Sequence, residues 1–380
     1  MALPDQRRGR RLPLAHPCEA VSPAMISGAG LTRRSFLAGS AALGAVPAAC
    51  LAPARAAGRP VPFGGAIQSD LFDGDPAYPK AFLDHCDIIL PMNELKLFSM
   101  LRPDAETFDF APADRLVDFA LSNGKRSRGH THVWWNAIPD WLQAISDPAK
   151  AEGALTRHIE TVMTHYRGRL ESWDVVNEVI AHEPTADAPL RDSYWLRTMG
   201  PRHIPVAFAA AARADPGARL VLNDYDLEFR GDRYELRRAI ALSIVRQLQE
   251  AGLRIDAVGI QGHLYAELQI DVPALARFGR ELKALGVSLI VTELDVIDWK
   301  IRGGAEKQDA AAGKIVGDLL DGVFDAGPPD AVICWGITDR YSWIPDVMPH
   351  RDGTPSRPLP LDAEYRPKPW YELIRRRLRS

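Results

Sequence analysis

Short apolar runs alternate with helix-period segments along most of this chain, and the alternation repeats eight times. The runs occupy 63–69, 86–93, 127–135, 171–178, 219–226, 257–264, 288–296 and 331–338. Several carry apolar residues on both faces, as in Leu220-Val221-Leu222 and Leu289-Ile290-Val291. Strands of that kind are covered on both sides and belong in parallel sheets flanked by helices. Between them, 113–123 sets Leu116, Phe119 and Ala120 on one helical face, and 231–252 repeats Ile240, Ile244 and Leu248 at the same period. Asn123-Gly124 and Ala251-Gly252 supply left-handed stop residues at their ends. Strand and helix repeated eight times without a break predict an α/β fold, a (β/α)8 TIM barrel, with a doubly wound open sheet as the runner-up. No linker or second composition follows Phe63, so residues 57–380 are expected to form one domain. The Pro-rich stretch 345–369 is expected as a surface connection to a last basic helix carrying Arg375-Arg376-Arg377.

Residues 1–56 read differently, as an N-terminal extension and export signal removed from the mature chain. Thr32-Arg33-Arg34-Ser35-Phe36-Leu37 is a twin-arginine pair, followed by an Ala/Gly-rich run to Cys50 and by Pro53-Ala54-Arg55-Ala56-Ala57. That order predicts export by the twin-arginine pathway, cleavage after Ala56, and a periplasmic or secreted protein. The apolar run is shorter than the roughly 20 residues a membrane span needs. Met25 is an alternative start, and Cys50 lacks the leucine three residues upstream that lipid anchoring calls for. A protein exported folded need not rely on disulfides, so Cys86 and Cys334, both in apolar runs, are expected as buried free thiols, with a bridge as the alternative. The formal net charge is −3 and the basic residues of the mature chain are interspersed with acids. Neither nucleic acid nor an anionic membrane is therefore an expected partner. A monomer is expected.

In such a barrel the loops after the strands build the site. Seven of the eight runs, from the second on, end in polar or aromatic residues: Asn93, then His130 with Trp134 and Trp135, Asn177-Glu178, Asn223-Asp224-Tyr225, Gln261 with His263, Glu293 with Asp295, and Trp335. Singly, each has a bland alternative: His130 as a satisfied second-layer histidine, Trp335 as core, Asp224 as a salt-bridged strand end. Their convergence favours a site. Glu178 and Glu293 close the fourth and seventh runs, which face each other across the mouth of an eight-stranded barrel. Paired carboxylates across a cleft are what glycosidic hydrolysis needs. Trp134, Trp135, Trp335, Trp343 and Tyr225 offer flat faces for pyranose rings, while Asn, Gln and His side chains suit hydroxyls. A metal centre at His130, His263, Glu293 and Asp295 is the competing reading; it leaves the tryptophans unexplained, and no H-E-x-x-H or cysteine cluster supports it. No cofactor is called for.

At these residues the chain resembles glycoside hydrolase family 10, chiefly endo-β-1,4-xylanases, from about Phe63 to Tyr371. Arg128-Gly129-His130-Thr131 with Val133-Trp134, Trp173-Asp174-Val175-Val176-Asn177-Glu178, Asn223-Asp224-Tyr225, Gly259-Ile260-Gln261 with His263-Leu264, Thr292-Glu293-Leu294-Asp295, and Trp335-Gly336 with Ser342-Trp343 stand in the family's order. The resemblance implies a retaining endo-glycanase acting on a β-linked plant polysaccharide, xylan first, with Glu178 as acid/base and Glu293 as nucleophile. It implies His263 and Asp295 as the pair orienting the nucleophile, and Asn177 as the residue binding the sugar's 2-hydroxyl. Asn93, Lys96, His130, Trp134, Trp135, Tyr225, Gln261, Trp335 and Trp343 become substrate-binding candidates. Retention implies carboxyl groups about 5 to 5.5 Å apart. The sugar-binding side departs from the pattern: Met92 stands where the family's Glu-Asn-x-x-Lys has glutamate, Leu97 where it has tryptophan, and Trp-His-x-Gln becomes Trp134-Trp135-Asn136-Ala137. A buried hydroxyl left without a partner costs about 1 to 3 kcal/mol. Two alternatives stay open: a hydrolase of another β-glycan or of short or decorated oligosaccharides, and a barrel that binds glycan without cutting it.

Overall fold

The computed structural model describes residues 60–98 and 100–380, so the export signal, its cleavage point and Cys50 lie outside the described residues. The strands are β1 (Phe63–Ile67), β2 (Ile88–Pro91), β3 (Gly129–Val133), β4 (Ser172–Asn177), β5 (Arg219–Asp224), β6 (Ala257–Ile260), β7 (His263–Tyr265), β8 (Ser288–Ile297) and β9 (Val332–Cys334). Every neighbouring pair is parallel, in the order β2-β1-β9-β8-β6-β5-β4-β3. The ring draws together where β2 meets the chain entering β3, through an Ile88↔Arg126 bridge. Helices follow the strands, so both strand faces are covered and a TIM barrel results.

The barrel is filled by a small apolar cluster: Ala66, Ile88, Leu90, Val221, Ala257, Ile290 and Ile333, with Met92 and Trp335 toward the mouth. The larger core lies between strands and helices, where the expected helices run Ala111–Ser122 and Asp232–Glu250. Gly124 and Gly252 follow their ends in the left-handed region, φ +69° and +73°. Cys86 and Cys334 are buried and unpaired. Among the described residues no helix is long and apolar enough to cross a membrane.

Two expectations need correction. The sixth run is not one strand: Gly262, at φ +76°, breaks it, and β7 leaves β6 to pair with the outer half of β8, putting His263 opposite Asp295. The stretch 345–369 is a surface connection only in part: 345–347 and 351–353 are exposed, but 358–362 is buried. Leu359 and Leu361 are fully covered, and the segment caps the strand ends, with Val296 N donating to Pro358 O and Leu361 N to Ile337 O, both at 3.0 Å. Apolar side chains pull it inward, while its prolines keep it from laddering as a strand. The last helix is Pro369–Arg379.

Register slips occur between His130 and Val133 on β3, Asp174 and Val176 on β4, and Val291 and Leu294 on β8. Bulges re-aim side chains. These three lie on the strands that carry His130, Asn177 and Glu293.

Candidate active site

A cleft of about 850 Å³ opens at the carboxyl ends of the strands. Its lining includes Glu178, Glu293, His263, Asn93, Lys96, His130, Trp134, Trp135, Asn177, Tyr225, Gln261, Trp335 and Trp343. Asp295 alone of the expected site residues stands behind the surface, fully buried.

Glu293 is 4 % exposed and held at both oxygens. Asn223 Nδ2 donates to Oε1 at 2.7 Å, and His263 Nε2 lies 3.3 Å from Oε2. Behind it, His263 Nδ1 is 2.8 Å from Asp295 Oδ1, and Trp343 Nε1 donates to Asp295 Oδ2 at 2.8 Å. Burial alone would push the Glu293 carboxyl up; His130 and His263 outweigh it and hold it below the usual range. Burial likewise opposes charge on His263, yet Asp295 and Glu293 hold its imidazole well above its ordinary value. The result is a fixed, ionised carboxylate facing the cleft.

Glu178 sits across from it, half-buried, just past the end of β4. Its φ is +55°, a left-handed conformation that is uncommon for a residue with a side chain and that clusters at functional sites. The surroundings fix it there: its N–H donates to Asn223 O at 2.9 Å, and Arg191 Nε donates to its carbonyl at 3.0 Å. Gln261 Nε2 donates to Oε1 at 3.2 Å, Asn177 Nδ2 lies 3.4 Å from the same oxygen, and Trp135 Nε1 donates to Oε2 at 2.6 Å. Asn223 Nδ2 also donates to Asn177 Oδ1 at 2.9 Å, so a chain of side-chain amides joins the two carboxylates.

Beside the carboxylates, Lys96 is buried against the Trp134 and Trp335 rings, 4.9 and 5.3 Å from their centroids, and donates to Asn93 Oδ1 at 2.9 Å. Burial pulls its ammonium down, against the pull of Glu293, Glu178 and Glu94. Tyr225 turns its hydroxyl toward Arg191 and His182. Asp224 follows its bland reading. Its side chain accepts from Arg237 at 2.6 Å and from Ile180 N at 3.0 Å, and burial pushes its carboxyl up to about 6.

His130 is also anchored. Its Nδ1 lies 2.9 Å from Asp174 Oδ2 and 3.9 Å from Glu293 Oε1, and Asp174 is clamped by Arg128. His130, Asp174 and Glu293 place possible ligand atoms within 4.8 Å of one another. Every carboxylate oxygen in that group already accepts a hydrogen bond, and the Arg128 guanidinium supplies the cation there.

Sequence reasoning gave no role to Asn223, Thr292, Arg128 or Arg191. Thr292 Oγ1 donates to Asn223 Oδ1 at 2.7 Å, which turns the Asn223 N–H groups toward Asn177 and Glu293. The available signal was a pair of polar residues, Asn223 and Thr292, within otherwise apolar buried strands.

Opposed glutamates at the mouth of an aromatic-lined (β/α)8 barrel define a glycoside hydrolase. The chain belongs to glycosyl hydrolase family 10, which it matches over residues 52–377. Endo-1,4-beta-xylanase B of Thermotoga neapolitana is 32% identical over 291 residues, 76% of this chain and 80% of that protein. Endo-1,4-beta-xylanase A of Thermoanaerobacterium saccharolyticum is 33% identical over 323 residues, 81% of this chain and 26% of its own, longer length. The crystal structure of xylanase 10B from Thermotoga petrophila RKU-1 in complex with xylobiose is similar at a TM-score of 0.75 and 29% identity, covering 84% of this chain and 94% of that one.

Proposed function

We propose that this chain is a retaining endo-β-1,4-xylanase, with Glu293 as nucleophile and Glu178 as acid/base. The observation that carries the reading is Glu293 itself: a buried carboxylate with a donor on each oxygen, ionised, facing a second glutamate across a sugar-sized cleft. In the first step Glu178, carrying a proton, gives it to the glycosidic oxygen while a Glu293 oxygen attacks the anomeric carbon. The C–O bond breaks, the leaving chain departs with the proton, and Glu293 becomes an ester. Glu178, now a carboxylate, takes a proton from water; the water oxygen attacks the same carbon and frees Glu293 with configuration retained. Asn177, rigid at 2 % exposure, is placed to bind the 2-hydroxyl, where the contact tightens as positive charge develops on the ring. Xylan as substrate is supported by the relatives, which are named as xylanases, and by a similar structure that holds xylobiose.

A second reading, another β-glycan or a decorated oligosaccharide, is favoured by Met92 and Trp135, which line the cleft where the family carries glutamate and histidine. Export through the twin-arginine pathway to the periplasm or beyond is proposed from the Arg33-Arg34 signal.

The test is the rate of the mature chain, from Ala57, on soluble xylan and xylooligosaccharides beside Glu178→Gln and Glu293→Gln. Reducing ends released by the wild type and a loss of at least about a thousandfold in both variants are expected. Cleavage of a mixed-linkage glucan in place of xylan, with the same dependence on both glutamates, would leave the mechanism and remove the substrate. Binding without any cleavage would leave only a glycan-binding barrel.

A further inference from the structure

Three N–H groups surround the Glu178 carboxyl, and they differ in how firmly they are held. Gln261 and Asn177 are 1 % and 2 % exposed. They are tied to each other, Gln261 Nε2 donating to Asn177 Oδ1 at 3.1 Å, and through Asn223 to Glu293. Trp135 is different: 37 % of it is exposed, it follows the end of β3 at the rim of the cleft, and its Nε1–H makes the shortest of the three contacts, 2.6 Å to Oε2. The Arg191 guanidinium lies over the same indole, 4.8 Å from its centroid, while donating to the Glu178 carbonyl at 3.0 Å. One exposed ring is thus bonded to the acid/base and packed under the cation that grips its backbone.

A donor on a carboxyl oxygen stabilises the ionised form over the acid. The reaction needs both forms in turn. We propose that Trp135 is a positioning residue for Glu178: its N–H holds the carboxylate form while the cleft is empty, and a sugar ring laid on the indole draws it off Oε2 so that Glu178 can carry the proton it must deliver. The proposal rests on Glu178 being the acid/base. The other groups facing Glu178 are Glu293 from β8, Lys96 beyond β2, and Asp224 and Tyr225 at the end of β5; Arg191 and His182 lie on its own loop. Replacing the indole with a phenyl ring removes the N–H and keeps an aromatic face under Arg191.

The experiment is kcat/KM for xylotetraose against pH in wild type, Trp135→Phe, Trp135→His and Glu178→Gln, with melting temperatures as a check on folding. The alkaline limb of kcat/KM reports the free enzyme's acid. In Trp135→Phe it moves to higher pH by about half a unit, the effect of one charge-assisted donor lost from a partly solvated carboxylate. Trp135→His keeps a ring N–H and returns the limb toward the wild-type position, while the acid limb stays in place in both variants. An alkaline limb that is unmoved in Trp135→Phe, with only KM raised, makes the indole a sugar platform and overturns the proposal. Substantial activity in Glu178→Gln would instead remove the acid/base reading itself.

Discussion

Gly259 lies outside the cleft lining and touches neither glutamate, yet adding one methyl group there is expected to misplace Glu293. It pairs in register with Asn223 on β5, and a Cβ at this position would lie 2.2 Å from Asn223 Oδ1 and 3.0 Å from Thr292 Cγ2. Relaxed contacts between such atoms fall at about 3.5 Å, so Asn223 must give way by roughly 1 Å. It is 0 % exposed and has no solvent to turn into. Turning breaks the bonds from Thr292 (2.7 Å), to Asn177 (2.9 Å) and to Glu293 (2.7 Å) together. The hydrogen bond to the charged Glu293 is worth about 1.5–3 kcal/mol, and a misplaced reacting group costs on the order of a hundredfold in rate. Gly259→Ala should therefore lower kcat on soluble xylan by about 10- to 100-fold, with KM changed little because Asn223 lies beneath the cleft surface. Overpacking of about 1–3 kcal/mol should also lower the melting temperature by several degrees. The cycle with Asn223→Ala separates the causes: the double variant should be little slower than Asn223→Ala alone, since the severe contact, with Asn223 Oδ1, has lost its target and only the milder one with Thr292 remains. A Gly259→Ala enzyme that keeps kcat within about twofold of wild type would refute the amide chain as the device that places Glu293.

Two further outcomes are expected. Met92→Glu with Ala137→Gln should improve kcat/KM on undecorated xylooligosaccharides by about tenfold, the value of one buried hydroxyl regaining a partner; no gain would sink the altered-subsite reading. The buried pair His132 and His158, 3.3 Å apart, should make the fold acid-labile. Burial pushes His132 down to about 3 and His158 well below its ordinary value, so both stay neutral in the fold while the unfolded chain protonates them below about 6.5. The stability they allow is complete above that pH and is lost as pH falls from about 6.5 toward about 3, by roughly 3 kcal/mol at pH 4 from His132. His132→Leu should flatten the fall in melting temperature between about pH 7 and 4, and an unchanged slope would remove the pair as its cause.

The barrel was legible because its strands are buried on both faces, which writes Val, Leu and Ile into consecutive positions and separates them by helix-period segments. Glu178 and Glu293 were legible because each is a carboxylate ending or interrupting such a run, where packing alone has no use for a charge. Asn223 was visible as a polar residue but not as a donor to Glu293. Its direction is set by Thr292 on β8 and by the missing side chain of Gly259 on β6, neither of which is near it in sequence. The buried path of 358–362 was hidden for a related reason: prolines read as turns, and nothing local says that Leu359 and Leu361 will find the ends of β8 and β9 open above them.

The places where strand periodicity fails are also the places where the chemistry sits. A regular strand alternates its side chains between the two faces, and a barrel built only of regular strands would direct polar groups into its filled interior or its helical coat. The slip between Val291 and Leu294 spans Glu293, the slip between Asp174 and Val176 precedes Asn177, and Gly262 ends β6 so that His263 can stand beside Asp295. Glu178 departs most, leaving β4 in a left-handed conformation held by Asn223 and Arg191. Such a backbone costs on the order of 1–3 kcal/mol and persists only where the surroundings fix it. Here those surroundings also place the carboxylate: Asn223 receives the Glu178 N–H and donates to Glu293, so the strain at one glutamate and the aim of the other are set by a single side chain and its backbone.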